Sequence, residues 1–459
     1  PDQCSLPKDS VKKTFDLPPI TDENTRLQCY HNAKNAILEI SHGNPGPVQL
    51  NIRINDSLQG QFEEVELPVV RSLKRYMAWD EWPSSEMADK KVLIVVGEHR
   101  PFTKRQQIAL DNFCNSHNAV VYVNHLSNYS GTYSIQANML VSCGGFSKLK
   151  PELLITIGGQ TGDYSIYGAL KNLNGVEHWR VAEDGAFVDT YGKLTKIFEC
   201  PDYFFFEKMA VNTNSTHSYY EEWSTLNDTI NYDVELPLSN LYVAQQMYQK
   251  VPKNSIMNFA ILNSLRCWSY FPLDQSIQGY GNVAAFGIDG CNSMLIGESM
   301  NTDELCFIVT GDLAFFYDMN ALGIRHIKNN VRVLLINNCG GAEFKIMTRN
   351  WKTKVSVDDF ISANGHNGSA KGWAENCGFK YIGATTKEDV NKSVSVFTQN
   401  SDKPILMEVF TSEDDDRNAI DAFLSANSIT TAQGKMAKIV TSIVGESGKQ
   451  VIKKVLGKS

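Results

Sequence analysis

ELCFIVTGDLAFFYDMNALGIRHIKNNVRVLLINNCGGAEF, residues 304–344, is the stretch whose reading decides the fold. It opens with an apolar run, Leu305 to Val309, of strand length and closely followed by Gly311-Asp312. Phe315, Met319 and Leu322 then recur at helical spacing with Tyr317, Asp318 and Asn320 between them, which reads as a helix covering a sheet. A second run, Val331 to Ile336, is apolar apart from Arg332 and ends in Asn337-Asn338 before Cys339-Gly340-Gly341. Strand, crossover helix and strand make a βαβ unit, so the two strands are parallel and the crossover right-handed.

Parallel pairing puts Asp312 and Asn338 just past the carboxyl ends of their strands, at the edge where open α/β sheets bind ligands. A carboxylate, an amide oxygen and a glycine carbonyl form a sparse set of hard oxygen donors. Mg²⁺ keeps such a site when a bound diphosphate supplies further oxygens. An ordinary βα turn with a polar loop after it would need only one of these ends; both together favour a ligand edge.

Working outward, 459 residues are too many for one core and suggest two or three domains. A formal charge of −8 argues against a nucleic-acid partner, whose phosphates reward basic surfaces. No apolar run reaches membrane-spanning length, and PDQCSLPKDS lacks the regions of a signal peptide. Ten scattered cysteines with no C-x-x-C pair read as reduced thiols of a cytoplasmic protein. The dispersed histidines give a histidine metal centre little support.

Strands Lys91–Val96, Ala119–Val123, Leu153–Ile157, Val176–Val181 and Leu194–Phe198 alternate with helical segments such as Thr103–Asn115, as in a doubly wound parallel sheet. Gly97-Glu98 and Gly158-Gly159 at strand ends could cradle a nucleotide phosphate. Without a G-x-G-x-x-G and a downstream acid they read as turn residues. Further on, Ser239–Gln249 reads as a helix and Ser255–Leu262 as a strand. Gly287-Ile288-Asp289-Gly290 starts a helix through Ile296, and Pro404–Phe410 is the last core strand. At the start, Glu23–Ser41 forms a helix capped by Asp22, followed by a Gly/Pro turn and a strand, Val48–Ile54. The fold class is therefore α/β, with tandem doubly wound parallel-sheet domains.

Gly311-Asp312, followed some two dozen residues later by Asn337-Asn338, resembles the signature of thiamine-diphosphate (ThDP) enzymes. GDLAFFYDMNAL and NNCGGAEF are most similar to the SEPHCHC synthase (MenD) branch of the decarboxylase–carboligase superfamily, which shares Leu313 where most members have glycine. GNPGPVQLNIRIN is similar to the close of that group's N-terminal pyrimidine-binding (PYR) domain. The resemblance implies six segments. Residues 1–58 would be the tail of a PYR-type domain, 59–90 a linker and 91–200 a middle Rossmann-like domain. Residues 201–238 would be a connection, 239–420 the pyrophosphate-binding domain and 421–459 a helical tail. It also implies that about a hundred or more PYR residues should precede Pro1.

By the same resemblance Asp312, Asn338 and the Gly340 carbonyl bind Mg²⁺, which holds the cofactor diphosphate. Asn263, Ser264, Gly287, Ile288, Asp289, Gly311, Leu313 and Gly341 join the cofactor site, with Ile288 wedging the bound cofactor into a bent form. From the residues alone, Asn263-Ser264 could equally cap a helix, Ile288 could be a core residue and Asp289 a first-turn helix acid. Arg266, Val283, Glu343 and Phe344 would face the substrate. Three positions depart from the family: Trp268 and Val283 stand where it has arginines, and Glu343 where it has an apolar residue. A carboxylate at Glu343 would disfavour an anionic, isochorismate-like acceptor. The activity implied is decarboxylation of a 2-oxo acid with protonation or transfer to an acceptor, in a homodimer or homotetramer, the cofactor supplying the chemistry. The family's activating PYR glutamate cannot be assigned here, since its segment would precede Pro1. The alternative is therefore a partial ThDP-binding subunit that needs a separate PYR-bearing partner chain and is inactive without it.

Overall fold

The computed structural model describes residues 4, 6–7, 9–54, 66, 70–211, 215–343 and 365–429. Phe344 and the lysine-rich tail lie outside the described residues. Three parallel sheets organise the rest. The largest has seven strands, in the order Lys74–Met77, Leu194–Glu199, Glu177–Val181, Leu153–Ile157, Val92–Val96, Ala119–Val123 and Ser134–Gln136. The second has six: Gln278–Gly281, Ile256–Phe259, Cys306–Gly311, Val331–Asn337, Ile405–Phe410 and Lys380–Ala384. Every pairing is parallel, so all carboxyl ends of one sheet share an edge. The central strands are apolar throughout because helices cover both faces; Val92–Val96 and Val331–Asn337 are buried at every position.

The βαβ unit of residues 304–344 forms with two differences. Cys306 pairs with Val331 and Gly311 with Ile336, in parallel register. The crossover, however, is not one helix: Asp312–Tyr317 stops, and Met319–Gly323 is a 3₁₀ turn. Asp318 at the break accepts hydrogen bonds from Ser293 N (2.7 Å) and Ser293 Oγ (2.8 Å), which ties the chain there to a neighbouring helix. The 287–290 turn likewise does not start the next helix, which is Cys291–Ser299, entered through left-handed Gly290.

Two segments expected to be connections carry structure. Within 59–90, Lys74–Met77 adds an edge strand beside Leu194–Glu199 and buries Tyr76. Within 201–238, helices Asp202–Met209 and Ser218–Asn227 bury Phe205, Phe206 and Trp223. Helix Glu413–Ala426 runs across the expected boundary at residue 420 and seats Phe423 in the core. At the start, an unexpected strand, Lys13–Leu17, pairs in parallel with Val48–Ile52, and helix Glu23–Ile40 connects them, Asp22 closing a capping box with Thr25.

The two large sheets share one apolar core, from Leu93 and Tyr122 through Trp268 and Val283 to Val309 and Leu334. Hydrogen bonds stitch the joint. His125 Nε2 donates to Trp268 O (2.8 Å), and Asn128 exchanges two bonds with the Gly279 backbone (2.8 and 2.9 Å). Burial pushes the His125 pKa down to about 4, partly opposed by the Trp268 bond, and burial takes His178 to about 3. An unfolded histidine protonates near pH 6.5, so stability is lost as pH falls from there towards these values. We predict a drop in unfolding free energy between pH 7 and pH 5 on the order of 2 kcal/mol from His125. Chemical denaturation should show a shallower acid slope for His125→Gln; equal slopes would contradict this.

Candidate active site

In the six-stranded sheet the chain leaves Ile256–Phe259 to one side, then crosses to Cys306–Gly311 on the other. That reversal opens a crevice at the carboxyl ends of the two strands, the position at which open α/β sheets take ligands. Asn263-Ser264 follow the first strand within a few residues, and Asp312 follows the second directly. Asn338 follows the adjacent strand, and the 287–290 turn follows Gln278–Gly281.

Backbone strain gathers there. Among the described residues seven non-glycine residues have positive φ, and three border the candidate loops: Leu262 (63°), Phe286 (53°) and Cys339 (62°). They precede Asn263, precede Gly287-Ile288, and separate Asn338 from Gly340. Each such conformation costs roughly 1–3 kcal/mol and persists where surroundings over-determine it, commonly at ligand sites.

The donor atoms converge. Gly340 N–H donates to both Asp312 Oδ2 (3.1 Å) and Asn338 Oδ1 (3.2 Å), so the two oxygens lie on either side of that N–H. Asp312 Oδ1 accepts from Leu313 N (2.7 Å). Burial raises the Asp312 pKa, the Leu313 bond opposing it. His366 Nε2 lies 3.1 Å from Asp312 Oδ2 without hydrogen-bond alignment. Two hard oxygens beside one N–H, one on a buried carboxylate, fit a small divalent cation. The glycine expected to offer its carbonyl here presents its N–H to those oxygens. The neighbouring Asn337 has a different job: it donates to Glu408 Oε1 (2.8 Å) and Gly368 O (2.9 Å) and accepts from Cys339 N (3.1 Å).

Asn338 is held by a residue that sequence reasoning missed. Its Nδ2 donates to Asp416 Oδ2 (2.8 Å), which leaves Oδ1 on the Asp312 side. Asp416 is buried and also accepts from Asn240 N (2.7 Å) and Thr411 Oγ1 (3.3 Å). Burial pushes its pKa up to about 6, against the pull of the Asn338 bond. Asn240 in turn donates to Asn263 O (3.3 Å). One polar chain therefore links Asp312, Asn338, Asp416 and Asn263. The only local signal was the acidic first turn of helix Glu413–Ala426, which also reads as plain helix capping.

The expected substrate residues are placed differently from the sequence reading. Arg266 makes a two-pronged ion pair with Glu343, at 2.6 and 2.9 Å, and a 2.8 Å bond to Asn263 Oδ1. Glu343 is therefore not an unpaired anion. Burial works against the Arg266 charge, but the Glu343 bonds prevail and raise its pKa. Trp268 and Val283 are buried in the interdomain core, so neither lines an open cavity at its side chain. Ile288 is 37% exposed, an apolar side chain left uncovered beside the crevice. Ser264 is buried at the first turn of helix Asn263–Ser269, and Asp289 is exposed.

Breaking a buried ion pair by removing one partner costs about 3–5 kcal/mol, because the other charge is stranded. Arg266→Met and Glu343→Leu should each destabilise by that order. The double variant should lose less than their sum in a denaturation double-mutant cycle; additive losses would show that the pair is not coupled.

No family model matches the chain. Curated relatives do. The 2-succinyl-5-enolpyruvyl-6-hydroxy-3-cyclohexene-1-carboxylate synthase of Bacteroides thetaiotaomicron is 31% identical over 425 residues, covering 88% of this chain and 75% of the relative. The same-named proteins of Bacteroides fragilis and Phocaeicola vulgatus are 30% identical over 426 and 429 residues, each covering 88% of this chain. Similarity at that level over 88% of the chain decides the matter: the chain belongs to the SEPHCHC synthase (MenD) family of ThDP-dependent enzymes.

Proposed function

We propose that the chain is a Mg²⁺- and ThDP-dependent enzyme that decarboxylates a 2-oxo acid and passes the remaining fragment to an acceptor. The observation that carries this reading is that Asp312 Oδ2 and Asn338 Oδ1 come together around the Gly340 N–H at a sheet switch point. In this reading Asp312 and Asn338 hold the metal, joined by the Gly340 carbonyl once loop 339–341 turns. Bound ThDP supplies the electron sink that makes loss of CO₂ feasible. The rest falls to the protein. Asp416 fixes which end of the Asn338 amide faces the metal. Asn263, Ser264 and the 287–290 turn border the crevice, and Ile288 offers an apolar support. Arg266 and Glu343 cancel each other's charge beside it.

Association with further protein is part of the proposal. On the N-terminal unit Leu27, Ile37, Ile40, Leu50 and Ile52 are 40–69% exposed. We take this exposed apolar surface as a face for a protein partner. A homodimer or homotetramer, or a PYR-bearing partner chain, would cover it.

Asp312→Ala should abolish the Mg²⁺ dependence of ThDP binding in calorimetry and weaken affinity by about tenfold or more, the loss of one charged ligand. Unchanged Mg²⁺-dependent affinity would refute the assignment. Asp416→Leu should weaken Mg²⁺-dependent binding by a smaller factor while Asp312 remains in place. A screen of 2-oxo acids for CO₂ release, 2-oxoglutarate first, then identifies the donor.

A further inference from the structure

At the ligand edge one ring nitrogen stands without a hydrogen bond. His366 Nε2 is buried and lies 3.1 Å from Asp312 Oδ2, out of line for a bond to it. The other nitrogen of the ring is engaged: Gly368 N donates to Nδ1 (3.0 Å). A ring nitrogen that accepts an N–H carries no proton of its own, so the proton of the neutral imidazole sits on Nε2. Nε2 is therefore a donor, and it has no lone pair for a metal while Nδ1 keeps its bond. A buried donor without an acceptor is costly, and a site that retains one has an acceptor still to come.

The ring is held in that position from several sides. Phe316 meets it edge-on, 5.3 Å between centres and at 89°. Gly368 leaves room for both rings, since a Cβ there would come within 3.3 Å of His366 Nδ1 and of Phe316 Cζ. Hydrogen bonds fix the backbone around it. His366 N donates to Cys339 O (3.1 Å), inside loop 339–341, and Gly368 O accepts from Asn337 Nδ2 (2.9 Å). Next along the chain, Ser369 Oγ (2.8 Å) and Ala370 N (3.1 Å) donate to the buried Glu408, which also holds Asn337 (2.8 Å). The segment that carries His366 is thus pinned to the two strands beside the crevice.

A small divalent ion on Asp312 would draw its remaining oxygens from a phosphate, each at about 2.0–2.1 Å from the metal. Two neighbouring oxygens in such a shell lie about 3 Å apart, so a phosphate oxygen would arrive beside Asp312 Oδ2. The Nε2–H stands at that same distance from Oδ2. An N–H facing an anionic oxygen makes a charge-assisted bond, stronger than one to a neutral acceptor.

We infer that His366 Nε2 donates to the diphosphate of the bound cofactor, alongside the metal on Asp312 and Asn338. The inference rests on the proposed cofactor reading and adds a side-chain donor from beyond both signature stretches. His366 binds the cofactor's diphosphate end and takes no part in the bond-breaking chemistry.

Inorganic pyrophosphate isolates that end of the cofactor. Titrated with Mg²⁺ into the full chain by calorimetry, it should bind His366→Ala about tenfold more weakly than wild type, the loss of one charge-assisted bond. His366→Gln, which keeps an N–H donor, should recover most of the loss, and ThDP should give the same order. In wild type labelled with ¹⁵N-histidine, the Nε2 resonance that His366→Gln removes should shift when Mg²⁺ and pyrophosphate are added. Equal or tighter pyrophosphate binding by His366→Ala, or an Nε2 resonance that pyrophosphate leaves in place, overturns the inference. Wild-type ThDP binding separates the two claims. Mg²⁺-dependent binding that is indifferent to His366 defeats this assignment alone, and the absence of Mg²⁺-dependent binding defeats the cofactor reading and this assignment with it.

Discussion

The buried Asp416 carboxylate is the constraint on which the candidate site depends. It accepts from the first amide of helix Asn240–Met247, from Thr411 and from the Asn338 side chain, and so ties three segments distant in sequence to one group. A carboxylate out of water is tolerated only with such donors around it. Here the donors do more than satisfy it. An asparagine amide can face either way, and the bond to Asp416 turns its oxygen towards Asp312. A sheet edge thereby becomes a set of converging oxygens.

Electrostatic compensation repeats one step further out. Arg266 and Glu343 neutralise each other beside Asn263, and Arg180 is taken by Asp184. Two positively charged forks are thus spent inside the protein. The strained residues Leu262, Phe286 and Cys339 fit the same picture, since each turns the chain abruptly where it leaves a strand for the crevice.

Much of the architecture was legible in the residues because buried parallel strands read as unbroken apolar runs. Ala119–Val123 and Leu153–Ile157 form at the expected bounds, and Cys306–Gly311 with Val331–Asn337 within a residue or two. Lys13–Leu17 and Lys74–Met77 were not legible: edge strands with exposed faces carry polar residues and lose the apolar signature. The placement of Asp312 and Asn338 at a sheet edge could be read because each sits immediately after its strand. The Arg266–Glu343 pair could not, being separated by 77 positions and joined only by the fold. Asp416 was hidden for a related reason, since three acidic neighbours give it the look of a helix-capping run.

The most direct test of the central claim is a crystal structure with ThDP and Mn²⁺ in place of Mg²⁺, with the metal located by its anomalous signal. The account predicts a peak about 2.0–2.3 Å from Asp312 and from the Asn338 side-chain oxygen, with Asn338 Nδ2 still on Asp416. A metal away from these oxygens, or an Asn338 amide turned with its nitrogen towards Asp312, would contradict it.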